Sequence, residues 1–269
     1  MFEAIFLGIV QGLTEFLPIS SSAHIRITGE FLPSALDPGA AFTAITQIGT
    51  ELAVLLYFRR DISTIARAWL KRDGSIEARL GWLIIIGTLP IVVLGYLGQS
   101  YITDNFRSLY IVATTLILFG IILGIADRYG RKEKSLESLS VPHGLAYGLA
   151  QSMALIPGVS RSGATIALGR FLGYKREAAL RYSFLLALPA VFGSGFYELK
   201  QSLEPGAVTV YSGFETLAAT VTAFVIGYGV IAWLMKFITT KSFTPFVIYR
   251  IALGSTLLVL LSTGVLSAQ

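Results

Sequence analysis

Apolar and polar positions fall in long blocks along this chain rather than alternating residue by residue. Six runs, at about 41–58, 81–99, 107–127, 178–197, 214–235 and 246–265, are apolar and long enough to cross a bilayer as helices. Two further apolar runs, 2–17 and 142–156, are too short. Each leads into a proline and a Ser/Gly-rich turn, and each is followed by another short segment, at 24–32 and 162–172. A short apolar helix, a polar break and a second short helix fit a re-entrant hairpin, which keeps irregular backbone buried inside protein. The competing reading is a pair of amphipathic helices lying along the interface; we carry the hairpin forward.

The two broken segments resemble each other. GIVQ at 8–11 and GLAQ at 148–151 share a 140-residue offset with Ser20 and Ser160 and with Ser22 and Ser162, and a spanning run follows each after a similar interval. This pattern predicts an internal repeat, about 1–127 and about 142–265, within one integral membrane domain covering 1–269. Six basic residues (Arg59, Arg60, Arg67, Lys71, Arg72 and Arg79) crowd the connection after the first span. Arg128, Arg131, Lys132 and Lys134 follow the third span, Lys175, Arg176 and Arg181 precede or open the fourth, and Lys236 and Lys241 follow the fifth. These connections are expected to be cytoplasmic, with 99–107 and 198–213 outside and both termini outside. The first span of each half then runs in opposite directions. The expected fold is an all-α polytopic membrane protein of six transmembrane helices plus two re-entrant helical hairpins, arranged as an inverted-topology repeat. Such repeats place polar chemistry near the midplane, where the broken segments meet.

Composition agrees with a bilayer: 54% of residues are hydrophobic, 14% are charged, and the mean hydropathy is +0.70. The net charge of +5 resides largely in the short connections, so it reads as topology and not as a nucleic-acid surface. The absence of cysteine excludes disulfides and thiolate chemistry. The N-terminal stretch carries Glu3 and no early Lys or Arg, which argues against a cleaved signal.

Against this background the stretch PGVSRSGAT at 157–165 stands out. A guanidinium at membrane depth costs about 2.5–3.5 kcal/mol on insertion scales, so Arg161 needs a partner or a wet cavity. A phosphate suits it: Ser160, Ser162 and Thr165 offer hydroxyls, and the segment opens a helix whose free N–H groups favour an anion. The alternative is a protein carboxylate that locks the hairpin. In QGLTEFLPISSSAH, Gln11 and Glu15 share a helix face and are followed by Ser20, Ser21, Ser22 and His24. Serine runs after proline are commonly turns and a single histidine is commonly a cap. The joint set of carboxylate, hydroxyl, imidazole and guanidinium nonetheless matches phosphoryl transfer. Glu51 lies inside a predicted span on the face of Thr43 and Gln47, and reads as a hydrogen-bonded carboxyl without a catalytic role. Arg250 is placed near a span end, its head snorkelling to water. Gly8 and Gly12, like Gly144 and Gly148, are spaced to let the broken-segment helices pack closely.

At QGLTE (11–15), PGVSRSGAT (157–165) and SFTPFVIYR (242–250) the sequence resembles the undecaprenyl-diphosphate phosphatase family, bacterial membrane enzymes linked to bacitracin resistance, over nearly its whole length. The resemblance implies hydrolysis of the lipid carrier diphosphate to its monophosphate for reuse in peptidoglycan and other envelope glycans, in the bacterial plasma membrane with an outward-facing site. It also implies a divalent cation, magnesium or calcium, with Glu15 as a ligand. Carried over by position, it marks Gln11, Glu15, Ser21, His24, Ser160, Arg161 and Thr165. Glutamine at 11, where many relatives carry glutamate, departs from a two-carboxylate metal site. Our expected catalytic set is Glu15, Ser21, His24 and Arg161, with Gln11, Ser20, Ser160, Arg161, Ser162 and Thr165 binding substrate. Either Ser21 or His24 is the nucleophile, with Ser21 preferred. The expected partners are a polyprenyl diphosphate and membrane lipids, with no nucleic acid and with room for a homodimer. A transporter or flippase of a lipid phosphate is the rival function.

Overall fold

The computed structural model describes residues 1–32, 38–106, 108–130, 133–207 and 209–267. Among them the chain forms eleven α-helices and two short 3-10 turns, and no strand beyond a single bridge between Lys134 and Tyr174. Six helices are long and apolar enough to span a bilayer: α3 (Gly39–Tyr57), α5 (Ile76–Asn105), α6 (Leu109–Tyr129), α9 (Arg176–Ser202), α10 (Gly213–Thr240) and α11 (Thr244–Ser262). They coincide with the six apolar runs. The short runs are the helices α1 (Phe2–Thr14) and α7 (Val141–Ser152), each followed after a break by a second short helix, α2 (Ser21–Phe31) and α8 (Arg161–Phe171).

One segment departs from the sequence reading. The basic connection after the first span is itself mostly a helix, α4 (Arg59–Lys71). Ile62, Ile65, Ala68 and Trp69 fall three or four apart and form a narrow apolar stripe packed on α5, with Trp69 edge-on to Trp82 at 5.4 Å between ring centroids. Its polar face carries Arg59, Arg60, Arg67 and Lys71, all exposed. A search for continuous apolar runs passes over such a helix, because its mean hydropathy is low and only its periodicity is informative. The predicted basic residues Arg131 and Lys132 lie outside the described residues.

Packing among the helices depends on small residues, as expected where lipid leaves dispersion and close approach to hold helices together. Helix α1 lies against α10, and α7 against α5. A Cβ on Gly8 would come within 2.5 Å of the Ala219 carbonyl, and one on Gly12 within 2.8 Å of Ile226. Gly148 meets the backbone of Gly87. The close packing expected of these glycines is therefore present. Helix α10 also covers α3, α3 packs on α9, and α11 runs along α6. Between them a buried cluster reaches from Phe16 and Ile19 in the first break to Tyr147, Ile166, Tyr182 and Phe184, while Val159 in the second break packs with Phe119 and Ala164.

The C-terminal ends of α6 and α8 and the N-terminal ends of α9 and α11 are tied by one carboxylate. Asp127 accepts from Arg176 at 2.6 and 3.0 Å, from Arg170 at 3.2 Å and from the Phe243 backbone N–H at 3.0 Å. Arg170 is wholly buried and also donates to the Tyr174 carbonyl at 2.5 Å. This knot fixes one end of the bundle, and the breaks are held by a separate set of contacts.

Candidate active site

The two breaks touch. Each ends at a serine in a left-handed conformation, Ser20 with φ 75° and Ser160 with φ 70°, immediately before the second short helix. In both, the hydroxyl lies 3.2 Å from that of the serine two positions on, Ser22 or Ser162. Ser160 also caps α8 by accepting from the Gly163 N–H at 3.1 Å. Ser162 reaches across to the first break and donates to the Leu17 carbonyl at 3.3 Å. Gly158 is in a conformation that only glycine adopts easily (φ 91°), and its carbonyl faces Arg250.

Arg250 holds both breaks together. It is fully buried and donates to the carbonyls of Pro18 (3.1 Å), Gly158 (2.9 Å), Val159 (3.0 Å), Leu116 (3.2 Å) and Thr115 (3.4 Å). Thr115 adds a bond from its hydroxyl to the Pro157 carbonyl at 2.8 Å. The expectation of a snorkelling side chain is therefore overturned. Carbonyls in irregular backbone have no helical partner, and a five-donor guanidinium is the side chain best able to serve several at once. Gly163 leaves the room this requires, since a Cβ there would sit 2.7 Å from Arg250 Nη1.

With the breaks so joined, Glu15 and Arg161 come together. Glu15 Oε1 accepts from Arg161 Nη2 at 2.8 Å, and the same nitrogen donates to Glu51 Oε1 at 2.7 Å. Glu15 Oε2 accepts from the Ser21 hydroxyl at 2.5 Å, from Gln11 Nε2 at 2.6 Å and from Gln47 Nε2 at 3.4 Å. Both partners anticipated for Arg161 are thus relevant: protein carboxylates hold it, and it also borders open space. Glu15, Ser20, Ser21, Ser22, Gln47, Ser160 and Arg161 line one wall of a cavity of about 550 Å³. The other walls are largely apolar and come from α5 (Ile91, Val92, Tyr96), the turn at Ala154 and Leu155, and α9 (Ala190, Val191), with Ser194 and Glu198 adding polar atoms. A polar pocket with an apolar flank suits an amphiphile with an anionic head.

Four predicted residues do not line the cavity, and one of them is Ser162, whose hydroxyl is turned to the Leu17 carbonyl. Gln11 is fully buried behind Glu15 and does not line the cavity; its amide orients the carboxylate. Thr165 turns inward, bonded to the Arg161 carbonyl (2.8 Å) and to the Ser183 hydroxyl (2.6 Å), so it braces the first turn of α8. One turn farther along α8 than Arg161, it packs on Ser183 of α9 and does not reach the cavity. His24 points toward α11: Nδ1 is 2.7 Å from the Ser20 carbonyl, Nε2 is 2.7 Å from the Tyr249 hydroxyl, and the two rings stack at 5.5 Å. It stands in the first turn of α2, four residues past Ser20, and is held between the Ser20 carbonyl and Tyr249 without lining the cavity. Gln47, read from the sequence only as sharing a face with Glu51, was not counted among the site residues, yet it lines the cavity. Nothing in the sequence marked Ser194 and Glu198 as cavity residues, since they lie beyond the proline of α9.

The arrangement therefore offers a hydroxyl bonded to a carboxylate beside a guanidinium, in a cavity with an apolar side. Comparisons with known proteins point the same way. A relative from Micrococcus luteus, undecaprenyl-diphosphatase, is 63% identical over 99% of both chains. The undecaprenyl-diphosphatase of Paenarthrobacter aurescens is 59% identical over 99% of both. Undecaprenyl-diphosphatase 2 of Agrobacterium fabrum is 58% identical over 99% of this chain and 97% of its own. The family model described as bacitracin resistance protein BacA matches residues 4–256, and the chain belongs to that family.

Proposed function

We propose that this chain hydrolyses undecaprenyl diphosphate to undecaprenyl phosphate and orthophosphate, returning the lipid carrier for envelope glycan synthesis. The observation that carries this reading is the 2.5 Å hydrogen bond from the Ser21 hydroxyl to Glu15, beside Arg161 in the cavity. In the mechanism, Arg161 and the serine hydroxyls of both breaks bind the diphosphate oxygens. Ser21 Oγ attacks the terminal phosphorus in line and passes its proton to Glu15. The bond from that phosphorus to the bridging oxygen breaks, Glu15 gives the proton to the departing oxygen, and the prenyl monophosphate leaves. Water then attacks the phosphoserine, Glu15 taking its proton and returning it to Ser21 Oγ as the Oγ–phosphorus bond breaks, and orthophosphate is released. A phosphohistidine route through His24 has less support, since both ring nitrogens are engaged outside the cavity. A carrier that only moved the lipid would have no use for an activated hydroxyl at the headgroup.

A divalent cation, magnesium or calcium, fits this site. Among the described residues no group of three acids, histidines or cysteines forms a cage, but magnesium commonly uses one or two carboxylates plus substrate phosphate oxygens. Glu15 is the protein ligand this reading assigns, and the buried Gln11 Oε1 and Glu51 Oε2 have no hydrogen-bond partner. The cation would offset diphosphate charge and polarise the phosphoryl oxygens.

The topology belongs to the same reading: two re-entrant hairpins, α1–α2 and α7–α8, in an inverted repeat. Its support is reciprocal packing, in which α1 lies on α10 of the other half while α7 lies on α5, the α10 counterpart. The cavity is lined by the later residues of α5 and α9, which the basic-loop rule places toward the outer side. The N-terminal amine pairs with Glu215 at the start of α10, at the end assigned to the outside. The test is orthophosphate release from undecaprenyl diphosphate with magnesium by wild type, Ser21→Ala and His24→Ala. Ser21→Ala should lose about a thousandfold or more in kcat and His24→Ala about tenfold. Full activity in Ser21→Ala would refute the serine route.

A further inference from the structure

Glu51 is wholly buried on α3 and does not line the cavity, yet it takes the same Arg161 nitrogen as Glu15. The four side chains form a line: Gln11 donates to Glu15, Glu15 accepts from Arg161, and Arg161 donates to Glu51. We infer that Glu51 is a positioning residue that anchors Arg161 from the closed side of the site. This inference rests on the phosphatase reading and adds a division of labour to it.

The argument is one of charge and place. A diphosphate in the cavity competes with Glu15 for the guanidinium. If Glu15 were the sole partner, Arg161 would lose its hold on the protein as it gained the substrate. Glu51 bonds it from the closed side, so the guanidinium stays aimed while Glu15 is freed to accept the Ser21 proton. Gln11 adds a donor toward Glu15 at 2.6 Å and no charge, so Glu51 is the second carboxylate that holds Arg161.

The test compares purified full-length Glu51→Leu and Glu51→Gln with wild type in two ways. One is kcat/KM for undecaprenyl diphosphate with magnesium; the other is calorimetric affinity for inorganic pyrophosphate with magnesium. Glu51→Leu should lower both by about tenfold or more, and Glu51→Gln, which keeps an acceptor for Arg161, should return to within about threefold of wild type. A merely structural Glu51 would show losses that track thermal stability in both variants. A folded Glu51→Leu at wild-type values, or a Glu51→Gln as poor as Glu51→Leu at equal Tm, would overturn the anchor. If Glu51→Leu does not purify as a monodisperse protein, Glu51→Met takes its place. Wild-type protein that binds pyrophosphate without any turnover would count against the phosphatase reading and leave the anchor standing.

Discussion

Arg250→Met keeps most of the side-chain length and removes every donor, which makes it the sharpest perturbation of the join between the two breaks. Three of the carbonyls it serves, those of Pro18, Gly158 and Val159, belong to irregular backbone. A buried carbonyl left without a partner costs about 1–3 kcal/mol, giving roughly 3–9 kcal/mol for the three. Water entering from the neighbouring cavity would recover part of this, so we take about 3–5 kcal/mol, the range seen when one member of a buried network is removed. For a chain of this size that corresponds to a fall of roughly 10 °C in Tm. Activity should fall further than stability, since Ser21 and Arg161 directly follow the two carbonyl clusters. The assay is thermal unfolding in detergent together with orthophosphate release below the new midpoint. An Arg250→Met protein with wild-type Tm and wild-type release would refute the assignment of Arg250 as the clamp.

Gly158→Ala forces a Cβ to within 2.7 Å of the Val112 carbonyl at a φ of 91°, so it should destabilise by roughly 2 kcal/mol or more and lower kcat; a wild-type melting curve would contradict this. Asp127→Asn leaves Arg170 and Arg176 without their shared carboxylate, and should cost about 3–5 kcal/mol by thermal unfolding while kcat at low temperature stays near wild type, because that knot lies apart from the cavity. Tyr249→Phe removes a single hydrogen bond to His24 and should lower activity by less than about tenfold, matching His24→Ala; a loss as deep as that of Ser21→Ala would restore His24 to the chemistry.

Much of this was legible in the residues. The six spans announce themselves because a bilayer-crossing helix needs a long uninterrupted apolar run, and such runs leave little else for the chain to do. The breaks were legible too, since proline and serine clusters between short apolar stretches have few other uses. Glu15 and Arg161 were readable because charges between apolar segments require a reason, and Ser21 because it follows Glu15 in the same break. What failed was depth along a helix. Thr165 and His24 share a face with cavity residues one turn earlier, but neighbouring helices the sequence does not place, α9 with Ser183 and α11 with Tyr249, engage them there. Arg250 was misjudged for a related reason: distance along the sequence from a span end says nothing about irregular carbonyls supplied by residues 91 to 232 positions away. Helix α4 escaped because charge hid its narrow apolar stripe.

The most direct measurement is a structure of the Ser21→Ala protein with undecaprenyl diphosphate and magnesium bound in the membrane-like environment of a nanodisc. The account predicts the terminal phosphoryl group between residue 21 and Arg161, with Glu15 alongside and the prenyl chain leaving past α5. A headgroup bound elsewhere, for instance against Arg170 and Arg176 at the other knot of charges, would contradict it.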